Sequence, residues 1–148
     1  MTGERDERVR HLSPGDPSGP GPVVYWMQRA QRAEYNHALD LAVRTANARN
    51  AAVFAYFGLT DAFPGANLRH YRFMLEGIAE TSRNLAHRGV RLLVRSEAPW
   101  EGIVRLAGEI GACAVVTDIG YLPLHRRWRR RAASALDVPL IGVETDSV

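Results

Sequence analysis

Three short stretches carry side chains suited to binding or orienting a ligand. Trp26, Met27, Gln28 and Arg29 follow one apolar run, Gly58, Leu59 and Thr60 follow a second, and Asp118, Gly120 and Tyr121 follow a third. Amides, hydroxyls and carboxylates at the ends of such runs can hydrogen-bond a ligand, and glycine lets the backbone approach it closely. For Asp118 and for Asp61, which follows Thr60, turn-forming and capping roles come first. A fourth stretch packs Arg126, Arg127, Arg129, Arg130 and Arg131 around Trp128. Helical spacing sets Trp128 on one face with Leu124 and Ala132, which makes it a core residue and leaves the five arginines around the exposed side. That side is read either as a docking surface for another domain or as a face for nucleic-acid phosphates. His37, His70 and His87 lie in or at the ends of helical patterns and read as surface or capping groups. No serine, cysteine or second carboxylate stands at a telling distance from any of them, so no catalytic residue is assigned.

Several chemistries are excluded. The 19 basic residues are all arginine, so a lysine-dependent phosphate loop or Schiff base cannot operate. Met27 to Leu39 contains no glycine, which removes the dinucleotide fingerprint. Gly120 is followed by Tyr121, Leu122 and Pro123, so the glycine-spaced phosphate loop of ATP-binding universal stress proteins is not present, and a nucleotide-binding domain of that type is only a third reading. The single cysteine, Cys113, reads as a small buried hydrophobe and implies neither disulfide nor metal. No stretch approaches the roughly 20 apolar residues of a membrane span, and no targeting signal is visible, so a cytoplasmic protein is expected.

The elements that must position these groups follow from periodicity. Residues 1–22 combine a charged start with a Pro- and Gly-rich stretch and are expected to be a disordered tail. Beyond them, apolar runs at Val23 to Met27, Ala52 to Phe57, Val90 to Arg95, Cys113 to Thr117 and Leu140 to Val143 predict strands covered on both faces. Helix-period stripes at Asn36 to Arg49, Asn67 to Arg88, Pro99 to Ile110 and Pro123 to Ala135 alternate with them. Five strands and four helices in alternation predict one α/β domain over residues 23–148, a doubly wound, five-stranded parallel sheet in three layers of the Rossmann-like type. With the first strand central, the ligand crevice lies between the loops after the first and fourth strands, with the loop after the second nearby.

The motifs themselves carry a resemblance. Tyr25-Trp26-Met27-Gln28 with Gln31-Arg32 and Asn36-His37-Ala38-Leu39, then Phe57-Gly58-Leu59-Thr60-Asp61 with Ala66-Asn67-Leu68-Arg69-His70-Tyr71, then Gly120-Tyr121-Leu122 with Arg127-Trp128-Arg129, resemble the N-terminal α/β domain of class II cyclobutane pyrimidine dimer photolyases. The resemblance covers about residues 22 to 148. It implies the light-collecting part of a flavoprotein that repairs UV-damaged DNA, with a deazaflavin-type antenna chromophore in the crevice formed by Trp26 to Arg29, Gly58 to Thr60 and Asp118 to Tyr121. The family's FAD-binding helical domain has no counterpart in the 148 residues. A truncated product, or one piece of a split enzyme with a partner chain, is therefore expected to bind no FAD and to be catalytically silent alone. The alternative is a stand-alone module that binds nucleic acid or a partner through Arg126 to Arg131.

Overall fold

A computed structural model describes residues 7–28, 36–60, 68–120 and 122–144. Ten elements follow one another: β1 (Val9–His11), β2 (Val23–Trp26), α1 (His37–Ala48), β3 (Val53–Leu59), α2 (Leu68–His87), β4 (Arg91–Ser96), α3 (Pro99–Ile110), β5 (Ala114–Asp118), α4 (Pro123–Ala135) and β6 (Leu140–Val143). The sheet order is β1-β6-β5-β2-β3-β4. Strands β2 to β6 run parallel. Strand β2 is central, and the chain steps outward from it through β3 and β4 before crossing back to β5 and β6. The reversal of strand order therefore falls between β2 and β5, at the predicted place.

Alternation along β2 builds the two cores. Val23 and Tyr25, continued by Met27, face α1 and α2, where they meet Leu39, Ala42, Ile78 and Leu85. Val24 and Trp26 face α3 and α4 and meet Ile103, Leu106, Trp128 and Ala132. Every residue of β2 is buried, which is why the strand reads as an unbroken apolar run. Cys113 is buried in the first of these cores. Among the described residues, no helix is long and apolar enough to cross a membrane.

The predicted strand count needs correction, because the sheet has six strands and is mixed. The extra strand, β1, comes from the segment expected to be without structure, and it pairs antiparallel with β6. Edge pairing needs backbone groups and little apolar area, so composition did not reveal it. Leu12 N–H donates to the Leu140 carbonyl at 2.9 Å, Leu140 N–H donates to Ser13 Oγ at 2.8 Å, and Leu12 packs on the α3/α4 core. Arg10 pairs with Glu144 at 3.2 Å on the exposed side.

Helix ends follow local chemistry. Pro99 and Pro123 open α3 and α4, where a missing N–H costs nothing, and Gly111 closes α3 at φ 63°. Asn36 caps α1: its Oδ1 accepts from Leu39 N–H at 3.0 Å while its Nδ2 donates to the Tyr25 hydroxyl at 2.9 Å. Asn36 is fully buried, so both partners lose a bond that water cannot replace if it is removed. Asn36→Ala is expected to lower stability by about 1–2 kcal/mol in urea denaturation.

Candidate functional site at the carboxyl ends of the central strands

At the switch point, hydrogen bonds tie the loops after β2 and β5 together. Asp118 ends β5 with its side chain fully buried. Its Oδ1 accepts from Gln28 N–H at 2.7 Å and, at a longer 3.5 Å, from the Tyr25 hydroxyl. With Asn36 on that same hydroxyl, a relay runs from the first turn of α1 through β2 to β5. Thr117 Oγ1 donates to the Trp26 carbonyl at 2.8 Å. From α4, Arg129 Nη1 donates to the Gly120 carbonyl at 2.7 Å and approaches Gln28 Oε1 at 3.5 Å. Gln28 Nε2 in turn reaches the His125 carbonyl at 3.4 Å. A Cβ at Gly120 would run into the His125 imidazole, which packs against Trp128 with ring centroids 5.6 Å apart. The result is a floor in which β2, β5 and α4 are tied together by these bonds.

Open space lies beside this floor, at the carboxyl ends of β3 and β4. Leu59, Thr60, Tyr71, Ser96, Glu97 and Ala98 line a depression of about 380 Å³. The Tyr71 hydroxyl donates to the Thr60 carbonyl at 2.8 Å, which fixes the start of α2 on the end of β3. Glu97 is held from two sides, by the Tyr56 hydroxyl at 2.6 Å and by Arg105 Nη1 at 2.7 Å. The approach of Tyr56 to Glu97 depends on two glycines. A Cβ at Gly58 would stand 2.7 Å from Pro99 Cα and 2.9 Å from the Tyr56 oxygen, and one at Gly102 would collide with both the Tyr56 hydroxyl and the Glu97 carboxylate.

Burial, the hydrogen bond to Glu97 and the charge of Glu97 raise the Tyr56 phenol far above its ordinary value near 10.0, while Arg95 and Arg105 pull weakly the other way. The folded chain thus favours neutral Tyr56, and the stability this contributes is complete below pH 10 and declines as pH rises above it. With no lysine in the sequence, few other side chains titrate in that window. Tyr56→Phe is expected to cost about 1 kcal/mol at neutral pH and to flatten the loss of stability above pH 10. Denaturation midpoints from pH 8 to about 11 measure both effects.

The sequence-predicted residues divide accordingly. Leu59 and Thr60 line the open depression, and Gly58 provides the close approach behind it. Gln28, Asp118 and Gly120 form the tied floor, Met27 is in the α1/α2 core, and Trp26 is fully buried on the α3/α4 side, with no acceptor for its indole N–H among the described residues. Arg29, Tyr121 and Asp61 lie outside the described residues. Arg126, Arg127, Arg130 and Arg131 are exposed, and Trp128 is buried as its spacing predicted. Arg129 departs from the expected exposed run: at 9% exposure it is turned inward onto Gly120. Tyr25, Asn36, Tyr56, Glu97 and His125 were missed as part of this region. Of these, only Asn36, an amide directly before a helical stripe, gives a local signal.

Comparison with known proteins narrows the fold to a family. Residues 23–148 match the family described as DNA photolyase. A deoxyribodipyrimidine photo-lyase of Methanothermobacter thermautotrophicus is 43% identical over 143 residues, covering 96% of this chain and 32% of that protein. One from Arabidopsis thaliana is 38% identical over 127 residues, covering 86% of this chain and 26% of its own length. The chain therefore spans about a third or less of these curated relatives. The archaeal match cannot reach 96% coverage without residues before Val23, the segment that supplies β1. Among solved structures, a class III photolyase from Agrobacterium tumefaciens superposes with a TM-score of 0.65 at 22% identity, over 84% of this chain and 26% of that one. A universal stress protein from Archaeoglobus fulgidus does so with a TM-score of 0.59 at 21% identity, over 84% and 98%. At such identities these structures share the α/β fold with this chain and nothing narrower. The stand-alone binding module draws no support from any of these matches, and the sequence match, taken over the whole α/β fold from its central strand onward, shows that the chain belongs to the DNA photolyase family.

Proposed function

We propose that this chain is the light-collecting α/β domain of a class II cyclobutane pyrimidine dimer photolyase, and that it holds a deazaflavin-type antenna chromophore at the carboxyl ends of its central strands. The observation that carries the reading is the coincidence of the family match, residues 23–148, with a fold whose carboxyl-end surface has a tied floor and an adjoining depression. The residues present fit such a group. The depression, at about 380 Å³, is within the roughly 300–1,000 Å³ of small-molecule sites. Leu59 and Tyr71 offer apolar and aromatic surface, and Glu97, Thr60 and Ser96 offer acceptors and donors to the edge of a planar heterocycle.

When bound, the chromophore supplies absorption of light and passes on the excitation energy. The chain's own part is to bind and orient it. Asp118, Gln28 and Arg129 keep the floor from rearranging, and Gly58 and Gly102 keep Glu97 in place. Dimer repair in DNA, with its FAD chemistry, belongs in this reading to residues outside the α/β fold. Titration of the full chain with 8-hydroxy-5-deazaflavin, followed by absorbance and fluorescence, tests the proposal. Saturable binding of one chromophore per chain at micromolar concentration is expected, weakened by Glu97→Gln, and the absence of saturation would refute it.

A further inference from the structure

On one side the sheet ends at β4, whose outer backbone groups meet no other strand among the described residues. Glu97 N–H donates to the Leu59 carbonyl at 3.1 Å, and the direction alternates along a strand, so the N–H and C=O groups of Leu92, Val94 and Ser96 point away from the sheet. Val94 is 41% exposed, on the face that Leu92 shares with α2. Helix α2 packs on β4 and buries Ile78, Thr81 and Leu85. In a right-handed β3-α2-β4 crossover, the residues a quarter-turn past that buried stripe face the open edge. These are Leu75, Ala79, Ser82 and Ala86, at the spacing of a helix-packing seam. Leu75 is 46% exposed, Ala79 and Ala86 are exposed, and Ser82 is half-buried. The opposite flank faces α1, where Arg88, just past the end of α2, reaches Asp40 at 3.4 Å.

We propose that β4 and the outer flank of α2 form a two-fold interface with a second copy of this chain. The two outward rows pair antiparallel when Val94 stands opposite Val94 of the second copy. Leu92 of each copy then stands opposite Ser96 of the other, and Arg91 and Arg95 of the two copies are kept apart. An axis at Leu93 would instead set Arg91 directly opposite Arg95. At about 3.3 Å per strand residue, Val94 lies roughly 10 Å above the start of β4, and at about 1.5 Å per helical residue the axis passes α2 beside Ala79. The small side chains of Ala79, Ser82 and Ala86 thus stand where the two antiparallel helices come closest, with Leu75 against Ala86 of the second copy. On the solvent rim of the same seam, Glu76 comes opposite Arg83 of the second copy, and symmetry repeats the pair. The same axis therefore satisfies the backbone row, the apolar seam and the rim charges. That agreement favours a second copy over an unrelated strand. Self-association is measured without chromophore, so the inference does not rest on the antenna reading.

Sedimentation equilibrium of the full chain, from micromolar to submillimolar concentration, is expected to show a reversible monomer–dimer equilibrium. Val94→Pro removes an N–H that points outward and spares the ladder to β3, and Ala79→Arg places like charges in the seam. Each should weaken the dimer by about tenfold or more. Glu76→Arg and Arg83→Glu should each weaken it several-fold, and the two together should restore the parental affinity. Phe73→Ser, on the α1 flank at a residue 77% exposed, should change nothing. Circular dichroism melts establish that each variant is folded. A chain that stays monomeric throughout overturns the proposal. So does a dimer that survives both Val94→Pro and Ala79→Arg, or a Glu76→Arg/Arg83→Glu variant that associates no better than either single variant.

Discussion

Asp118→Ala is expected to destabilise the chain by about 3 kcal/mol and to abolish chromophore binding at micromolar concentration. The carboxylate is fully buried at the end of β5 and accepts the backbone N–H of Gln28 at 2.7 Å. Without it, that N–H is left short of an acceptor in a place water does not reach, which costs about 1–3 kcal/mol, and the Tyr25 hydroxyl loses its contact with Asp118. The hydrogen bonds to a charged acceptor are lost as well, and a small void opens. Because Tyr25 also receives Asn36, the damage should spread to the start of α1. Asp118→Asn keeps an acceptor oxygen without the charge, so it should lose about half as much. Urea denaturation of the two variants beside the parent measures this order; an alanine variant within about 0.5 kcal/mol of the parent would show that the loops after β2 and β5 are tied by something else.

Gly102→Ala carries the second large effect, and its sign is opposite to what helix propensity implies. Glycine within a helix is worse than alanine by about 1 kcal/mol, so an unencumbered Gly102 would be improved by the substitution. Here the added methyl would collide with the Tyr56 hydroxyl and the Glu97 carboxylate. Either α3 moves away from β3 or the pair separates, and overpacking of this kind costs about 1–3 kcal/mol. Separation would leave the Tyr56 hydroxyl buried without its acceptor and release Glu97 toward solvent. The variant should therefore melt at lower temperature than the parent and bind the antenna chromophore more weakly. Gly108→Ala, in the same helix with open space around its Cβ position, should instead be neutral or stabilising, which separates the steric effect from propensity.

Much of the fold is written in the sequence because the inner parallel strands are covered on both sides; the edge strand β4, expected to be covered likewise, is instead only partly buried, with Val94 exposed. Val23–Trp26 and Ala114–Asp118 are buried at every residue, the first apolar throughout and the second apolar through Val116, and the intervening helices show one clear stripe each. The extents of α3 and α4 coincide with their predicted spans, since proline opens both. Strand β3, by contrast, runs on through Gly58 and Leu59, which composition assigns to a loop. Glycine there is a strand residue selected by the approach of Pro99, a tertiary fact that no local pattern expresses.

The position of the depression was legible only in part. Strand order and the rule for open α/β sheets put the expected crevice between the ends of β2 and β5, whereas the depression lies at the ends of β3 and β4, where Leu59 and Thr60 border it. Glu97 was not visible, because its significance depends on Tyr56, which is hidden in an apolar strand, and on Arg105, eight residues along the chain. Arg129 was misplaced for a related reason. Five arginines around one tryptophan look like a single solvated face, and only the Gly120 carbonyl, fixed by the turn after β5, distinguishes the one that points inward.

Amide chemical-shift mapping of the full chain with 8-hydroxy-5-deazaflavin shows directly whether the carboxyl-end surface is where the proposed antenna chromophore binds. Binding there gives saturating shifts at Leu59, Thr60, Ser96, Glu97 and Ala98, smaller ones at Gln28 and Gly120, and none along α4 beyond Arg130. Saturating shifts confined to another surface, or none at concentrations well above micromolar, would contradict it.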